Sequence, residues 1–290
     1  MQIAQANDQM RDWSLTSGKN MQGEIMAYDE VNKIVSLRLA NQSEVKLKEQ
    51  DFSTIDRAWI LQWVEQDEEA RRLLAKLGGK VTEYTGIGKV KIDYAVYQPP
   101  NAAAGAEPPL LILFHPGGNG RRQIYRYIEA ASAVGITVVS LDYFRNSTDS
   151  TVYDEMLAAF KELLPQIEAT VPHDKKRMFM GGVSGAAARS YHYSALVDRP
   201  WAGIFANGGW LGGSENYTLP FPRMRVAMVC GDKDEGPKSY IEPDSACLQK
   251  AGCIVSVHAF EGGHQLAPPV VQVKALRWLL GQEAPAEFSQ

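Results

Sequence analysis

The sequence predicts an α/β protein in which a small all-β domain precedes a mostly parallel sheet flanked by helices. Three observations support this fold class. From about residue 80 onward, apolar runs of strand length alternate with stretches of helical periodicity. Residues 11–65 instead contain short stretches in which apolar and polar side chains alternate. A chain of 290 residues, 45% of them hydrophobic, is long enough for one large domain or two domains of unequal size.

The small domain is assigned to residues 7–65. Three strands are predicted there, separated by turn residues: Met21–Ala27, Ile34–Leu39 and Glu44–Leu47. Residues 51–64 are expected to close the domain as a short helical or turn-rich segment, with these apolar side chains available for packing: Phe52, Ile55, Trp59, Ile60 and Trp63. Short strands joined by tight turns are typical of a small closed barrel.

Residues 66–79 are predicted to be a linker that ends at Gly78 and Gly79, and residues 80–290 form the main domain. Its predicted strands are Lys91–Tyr97, Leu110–Phe114, Ile136–Asp142, Met178–Val183, Gly203–Asn207, Val226–Cys230 and Ile254–Phe260. Its predicted helices are Gln123–Val134, Val152–Thr170, Ala186–Val197, Tyr240–Ala251 and Val270–Leu280. Asn101–Pro109 is expected to be a surface loop.

Composition narrows the range of partners. The net charge is −4 and no stripe of clustered Lys and Arg occurs, so nucleic acid is not an expected partner. The longest apolar runs are too short to span a bilayer, and Met1–Asn7 lacks the apolar core of a signal peptide. We expect a soluble protein; export after loss of a signal segment stays open.

Cysteine usage gives no metal motif. Cys230, Cys247 and Cys253 form no CxxC pair, so a zinc site is not supported. Three buried free thiols are the favoured interpretation. A bridge between Cys247 and Cys253 is the alternative in an oxidising compartment.

The candidate nucleophile is Ser184, within the run Gly181-Gly182-Val183-Ser184-Gly185-Ala186. This run lies where an apolar strand is predicted to end and a helix to begin. Such a sharp turn exposes a serine, and small neighbours allow the backbone segments to approach closely. Ala186 stands where the G-x-S-x-G pattern has glycine. A serine in an ordinary turn or helix cap is the alternative.

A glycine-rich loop, His115–Gly120, directly follows the predicted strand Leu110–Phe114. Glycines allow backbone N–H groups to point at an oxyanion, which makes Gly118 and Asn119 candidate donors. The N–H of Gly185, next to the serine, is the other candidate. A phosphate-binding loop is disfavoured because both the Lys-Ser/Thr of a P-loop and a GxGxxG pattern are absent.

The candidate acid and base follow two later strands. Asp234 lies in Gly231-Asp232-Lys233-Asp234, and His264 ends Glu261-Gly262-Gly263-His264. A carboxylate at a strand end can accept the second N–H of a histidine and fix its tautomer. Asp232 is the alternative acid.

These motifs, in the chain order Ser, Asp, His, resemble those of α/β-hydrolases, near the dienelactone-hydrolase, feruloyl-esterase and polyester-depolymerase branches. The resemblance covers residues 80–290. It implies an α/β-hydrolase fold with Ser184, Asp234 and His264 as the catalytic triad. It also implies an oxyanion hole around Gly118, Asn119 and Gly185. The departures are Ala186 and the His-Pro-Gly-Gly-Asn loop, and they bear on subfamily and substrate.

The N-terminal stretch, residues 11–65, resembles the Sla-homology domain, a small SH3-like barrel. The matching features are Arg11-Asp12-Trp13, Ser17-Gly18-Lys19, the strands Glu24–Tyr28 and Val35–Leu39, and Asp56-Arg57-Ala58-Trp59-Ile60. The resemblance implies an accessory module that binds a partner or packs on the catalytic domain.

The resemblance to hydrolases implies cleavage of carboxylic esters through an acyl-enzyme intermediate, without a metal or organic cofactor. Residues 210–225 show no amphipathic lid helix, which predicts an open, uncapped site for a small-molecule or polymer-borne ester. Trp210 and Tyr143, each near a strand end, are candidate pocket walls; packed surface aromatics are the alternative. A serine peptidase of the same fold, a non-catalytic hydrolase-like binding protein and an acyl transferase stay open as other functions.

Overall fold

A computed structural model describes residues 11–39, 43–100, 107–147 and 149–282. The chain divides into two compact units between Leu73 and Leu74. Met1–Asn7, and most of the loop predicted at Asn101–Pro109, lie outside the described residues.

The smaller unit is a four-stranded antiparallel sheet whose strands follow one another in sequence order. The strands are β1 (Arg11–Ser14), β2 (Asn20–Asp29), β3 (Ile34–Leu39) and β4 (Glu44–Lys48). Their inward-facing residues build a separate core of Trp13, Ile25, Val35, Leu37, Phe52, Ile60 and Trp63. The three predicted strands are present, and β1 is an addition to them.

The chain after β4 returns to the end of β1. A short 3-10 helix, Glu49–Asp51, precedes this return, and the Ser53 N–H then donates to the Ser14 carbonyl at 2.8 Å. The buried Asp56 carboxylate accepts hydrogen bonds from Arg11, Ser14 and Ser53. Burial acts to raise the pKa of Asp56, but these hydrogen bonds outweigh it and hold the pKa below its usual value. Among the described residues no ladder joins β4 to β1, so the SH3-like barrel stays a prediction.

A single helix, α1 (Thr54–Leu77), occupies most of the segment predicted as a linker. Ile60 and Trp63 lie on its buried face, as expected. Ile55 does not: the residue is 77% exposed, whereas the next residue, Asp56, is buried. The boundaries 7–65 and 80–290 stay a prediction.

The larger unit contains a nine-stranded sheet. Its strands are β5 (Lys80–Thr85), β6 (Asp93–Gln98), β7 (Leu110–Leu113), β8 (Gly117–Asn119), β9 (Thr137–Arg145), β10 (Met178–Val183), β11 (Trp201–Asn207), β12 (Arg225–Gly231) and β13 (Ile254–Phe260). The main path runs β13-β12-β11-β10-β7-β9-β6-β5, with β8 paired to β9. The strands from β9 to β13 along this path are parallel; β5, β6 and β8 pair antiparallel.

Helices connect the strands. They are α2 (Gly120–Gln123), α3 (Ile128–Val134), α4 (Ser150–Thr170), α5 (Gly185–Leu196), α6 (Glu235–Lys250) and α7 (Pro269–Leu279). The helix predicted over Gln123–Val134 is interrupted at Tyr127, whose φ of −115° is not helical. The helix predicted from Tyr240 begins five residues earlier than expected, directly after Asp234.

Parallel strands place their carboxyl ends at one edge of the sheet, where ligands bind in open α/β folds. The segments after β7, β10, β11, β12 and β13 therefore converge there. Within the described ranges no helix is both long and apolar enough to cross a bilayer, and no His, Cys, Asp and Glu cluster is suited to a metal ion. The three cysteines are free thiols.

Candidate active site

Ser184 occupies a strained turn between β10 and α5. Its φ of 59° and ψ of −129° are unusual for a residue with a side chain, and such strain is concentrated at functional sites. Gly182 is required here, because a Cβ at this position would lie 2.7 Å from the Phe114 carbonyl oxygen. Ala186 is fully buried, so the last position of the G-x-S-x-G pattern needs a small residue and not glycine itself.

The side chains of Ser184, His264 and Asp234 form a chain of two hydrogen bonds. The distance from Ser184 Oγ to His264 Nε2 is 2.8 Å, and that from His264 Nδ1 to Asp234 Oδ2 is also 2.8 Å. Both distances lie within ordinary hydrogen-bond range. A neutral imidazole in this arrangement donates its Nδ1–H to the carboxylate and accepts the serine hydroxyl proton at Nε2.

Asp234, and not the alternative Asp232, is in contact with the histidine. The Asp232 carboxylate accepts the backbone N–H of Gly262 at 2.9 Å instead. The Lys233 N–H also donates to the Gly262 carbonyl at 2.9 Å. Asp232 and Lys233 thereby join the strand end that carries Asp234 to the loop that carries His264.

The site differs in exposure from one side chain to the next. The Asp234 side chain is 7% exposed, whereas that of His264 is 46% exposed. The connection between β11 and β12 contains a single short 3-10 helix, Ser214–Thr218. The Asp234 carboxylate is thus shielded from water, while the His264 imidazole borders solvent.

The glycine loop after β7 is used differently from its prediction. The Gly118 N–H donates to the His115 carbonyl oxygen at 2.9 Å, with Gly118 at a φ of 75°. This donor is therefore engaged in a tight turn in this structure, and its role at an oxyanion stays a prediction. Asn119 is buried in β8, opposite Asp142 of β9. The Gly117 N–H lies 3.2 Å from Nδ1 of His115.

His115 accepts that hydrogen bond as a neutral ring. Burial, followed by the charge of Arg126, lowers the pKa of His115 to about 3, against the opposing effect of a hydrogen bond with Asn119. A neutral imidazole keeps a lone pair on one nitrogen, which protonation would remove.

Arg121 fastens the far end of the same loop. Its backbone N–H and its Nε donate to the two carboxylate oxygens of Asp142, at 2.8 and 2.6 Å. Its guanidinium also pairs with Glu83 and Asp93. Burial raises the pKa of Asp142 despite the nearby Arg121 charge. The glycine loop is thus anchored to β9, at the start of the segment Asp142–Ser147.

Comparison with solved structures identifies the fold. A ferulic acid esterase matches 71% of this chain and 99% of its own, at 15% identity and a TM-score of 0.53. Esterase LipW from Mycobacterium marinum matches 75% and 86%, at 16% identity and a TM-score of 0.57. A Bacillus cereus carboxylesterase matches 74% and 100%, at 16% identity and a TM-score of 0.52. The larger unit has the α/β-hydrolase fold. No protein-family model and no curated protein sequence matches the chain.

Two predicted wall residues lie at strand ends of this α/β-hydrolase fold. Trp210 follows β11 and stacks on Tyr240, with ring centroids 5.7 Å apart and an interplanar angle of 15°. Tyr143 is near the end of β9, has a φ of 77° and packs edge-on against Phe144. Their contact with substrate stays a prediction.

Asn207, the last residue of β11, was not predicted to serve the site. Its carbonyl accepts the Ser184 N–H at 2.8 Å, and its fully buried carboxamide bonds to the Gln265 carbonyl and the Ala267 N–H at 2.9 and 2.7 Å. One residue therefore connects the turn that carries Ser184 to the loop that carries His264. The signal in the sequence is a single polar residue that ends an apolar strand.

Proposed function

We propose that this protein is a serine hydrolase that cleaves carboxylic esters through an acyl-enzyme intermediate. The observation that carries the proposal is the chain from Ser184 through His264 to Asp234, with both links at 2.8 Å, at the carboxyl edge of the sheet. The three structural neighbours are named as esterases, which agrees with this reaction class.

In the acylation step, His264 Nε2 takes the hydroxyl proton of Ser184 as Oγ bonds to the ester carbonyl carbon. The carbonyl oxygen becomes an oxyanion. Collapse of this tetrahedral intermediate breaks the bond to the alcohol oxygen, which receives the proton from His264. Water then repeats the sequence on the acyl-enzyme and releases the acid. The buried Asp234 carboxylate stabilises the imidazolium in both halves.

The oxyanion requires donors fixed before the reaction begins. The N–H of Gly185 is suited to this, because the first N–H groups of a helix such as α5 have no partner within the helix. Gly118 and Asn119 are also proposed neighbours of the oxyanion, although the Gly118 N–H donates to the His115 carbonyl in this structure.

We expect an open site that accepts small or surface-borne esters, including those carried on a polymer. The 46% exposure of the His264 side chain supports this, as does the connection from β11 to β12, where residues 208–224 contain no helix other than the short 3-10 helix Ser214–Thr218. Trp210 and Tyr143 are the proposed walls. The small N-terminal unit is proposed as an accessory domain of the SH3-like type, which leaves the chemistry to the larger unit.

Hydrolysis of p-nitrophenyl esters from acetate to palmitate tests the proposal. We expect turnover to be highest for short acyl chains and to fall by at least about 10⁴-fold in Ser184→Ala, in keeping with removal of a serine nucleophile. Folded wild-type protein that hydrolyses none of these esters would overturn the general esterase activity. Turnover that persists in Ser184→Ala would place the reaction elsewhere.

A further inference from the structure

Position 185 carries no side chain, and the carboxamide of Asn146 fills the space that one would occupy. A Cβ built on Gly185 would lie 2.2 Å from Asn146 Oδ1 and 2.7 Å from Asn146 Nδ2. Gly185 directly follows the proposed nucleophile, and its N–H is the proposed oxyanion donor. A polar group from a different loop is therefore in contact with the residue that borders the reacting carbonyl.

The backbone around Asn146 is held from two sides. The Asn146 N–H donates to the Pro116 carbonyl at 2.8 Å, which joins it to the glycine loop. Arg189, on the nucleophile helix α5, donates to the carbonyls of Phe144 and Arg145 at 3.0 and 2.6 Å. Asn146 is thus tied to both segments that border the oxyanion position, so its side chain starts from a fixed point.

Arg189 has an unusual environment that fits this task. It is fully buried, and its Nη1 and Nη2 donate to these two carbonyls, while its Nε has no hydrogen-bond partner among the described residues and its guanidinium lies over the ring of Tyr153 at 5.5 Å. A buried cation costs free energy unless its donors are satisfied, so the segment that supplies the carbonyls is held strongly in place. The same segment contains Tyr143, which has a strained φ of 77°.

The Asn146 carboxamide itself is available to a ligand. Its side chain is exposed, and in the described part of the chain it makes no hydrogen bond. The Gly118 N–H, predicted as an oxyanion donor, is meanwhile occupied by the His115 carbonyl. The site therefore has a spare amide donor beside Gly185 and one backbone donor fewer than expected.

We infer that the Asn146 Nδ2–H donates a hydrogen bond to the carbonyl oxygen of the bound ester as that oxygen becomes an oxyanion, alongside the N–H of Gly185. This inference rests on the proposed function. A side-chain amide in this role acts mainly in the transition state, because the charge it stabilises is small in the ground state. Its removal should lower kcat more than it raises KM.

Three substitutions of Asn146 distinguish a hydrogen-bond donor from a side chain that only lines the pocket. Asn146→Ala removes the amide, Asn146→Leu keeps a similar volume without a donor, and Asn146→Asp places a negative charge beside the oxyanion. We expect kcat/KM on p-nitrophenyl acetate to fall by about 10²- to 10³-fold in the Ala and Leu variants, the range found when one oxyanion donor is removed. The Asp variant should lose more. The control is Gln249→Ala, which removes an exposed carboxamide near the C-terminal end of α6 and should leave kcat/KM unchanged.

A second readout does not depend on ester turnover. An alkyl fluorophosphonate phosphonylates an activated serine: Ser184 Oγ bonds to phosphorus, fluoride leaves and His264 takes the proton. Its rate of labelling should fall in the same order across the Asn146 variants, while thermal unfolding stays within about 2 °C of the wild type. Asn146→Leu with wild-type kcat and labelling rate would overturn the inference, as would a change in KM alone.

The two proposals fail separately. Wild-type protein that is labelled at Ser184 but hydrolyses no ester would refute the esterase proposal, and the labelling rates of the variants would still decide the role of Asn146. Wild-type protein that is neither labelled nor active would overturn both proposals.

Discussion

The two sides of the candidate site are built in different ways. On the acid–base side, Asp234 and His264 each follow a parallel strand, and their side chains meet directly. On the oxyanion side, Gly117–Asn119 and Asp142–Ser147 are segments that depend on side chains from elsewhere, notably Arg121 and Arg189. The ends of long parallel strands fix the first side, whereas on the second side the short, irregular pairing of β8 with the end of β9 is supplemented by individual polar contacts.

The difference determines what the loss of one contact on each side should do to the reaction. Removing a contact on the acid–base side changes the chemistry directly and leaves the sheet in place. Removing a contact on the oxyanion side lets a loop move, and the chemistry changes because the loop has moved. The following predictions test this contrast, from the largest expected effect to the smallest.

Asp234→Asn should have the largest effect. The amide can present an N–H to His264 Nδ1 and so favour the wrong tautomer, which lowers kcat by about 10⁴-fold where such a triad operates. Kinetics on a short p-nitrophenyl ester measure this. Asp232→Asn is the matched control: its side chain keeps an oxygen to accept the Gly262 N–H, and we expect a loss of less than about 10-fold. Equal losses in the two variants would contradict the assignment of the acid.

Gly185→Ala should act through Asn146. The new methyl group would meet Asn146 Oδ1 at 2.2 Å, and the carboxamide can swing away because it is exposed. We expect kcat/KM to fall by about 10²-fold, close to the effect of Asn146→Ala. The double variant should be no worse than either single variant, since both changes remove the same donor. Losses that multiply in the double variant would show that the two positions act independently.

Asn207→Ala tests the link between the two sides. The substitution leaves the buried Ala267 N–H without its acceptor, which costs about 1–3 kcal/mol of stability. Thermal unfolding should move down by about 2–4 °C for each kcal/mol in a protein of this size. The His264 loop loses an anchor at the same time, so kcat should fall. A Tm unchanged in Asn207→Ala would refute the argument.

His115 should contribute a pH dependence of stability. Its pKa is lowered to about 3 in the folded chain, against an ordinary value of 6.5, so the unfolded chain binds more protons between these values. Stability due to this group is therefore present above about pH 6.5 and declines as the pH falls toward about 3. The slope is at most about 1.4 kcal/mol per pH unit. Denaturant unfolding at pH 4.5 and pH 7 should show a smaller difference for His115→Gln than for the wild type; an equal difference would rule out this contribution.

The sequence predicts those elements whose pattern is set locally. Met178–Val183 is a strand at the predicted position, and all of its residues are buried, because parallel strands covered on both faces are apolar throughout. Ile254–Phe260 is also a strand where predicted, although it lies at the edge of the sheet and its residues alternate in burial. Lys80–Thr85 is also a strand but has polar residues at an antiparallel edge, so its pattern resembles a loop. The helix predicted over Gln123–Val134 is interrupted at Tyr127, a break that the apolar periodicity of the segment does not indicate.

The site shows the same division. Ser184, Asp234 and His264 could be predicted because each follows a strand in a motif of neighbouring residues, although their catalytic roles stay proposals. Asn146 could not, since its contact with Gly185 is made across two loops that are distant in sequence. The use of the Gly118 N–H in a turn was equally hidden, because a glycine permits a positive φ without specifying where its N–H points.

The complementarity between Gly185 and Asn146 should also leave a record in evolution. If the two positions share one space, relatives of this chain should vary them together. A larger side chain at the position of Gly185 should accompany a small residue, or a shorter loop, at the position of Asn146. Such paired changes would identify relatives in which a different segment supplies the polar group next to the serine. Ser184, Asp234 and His264 would be retained in those relatives.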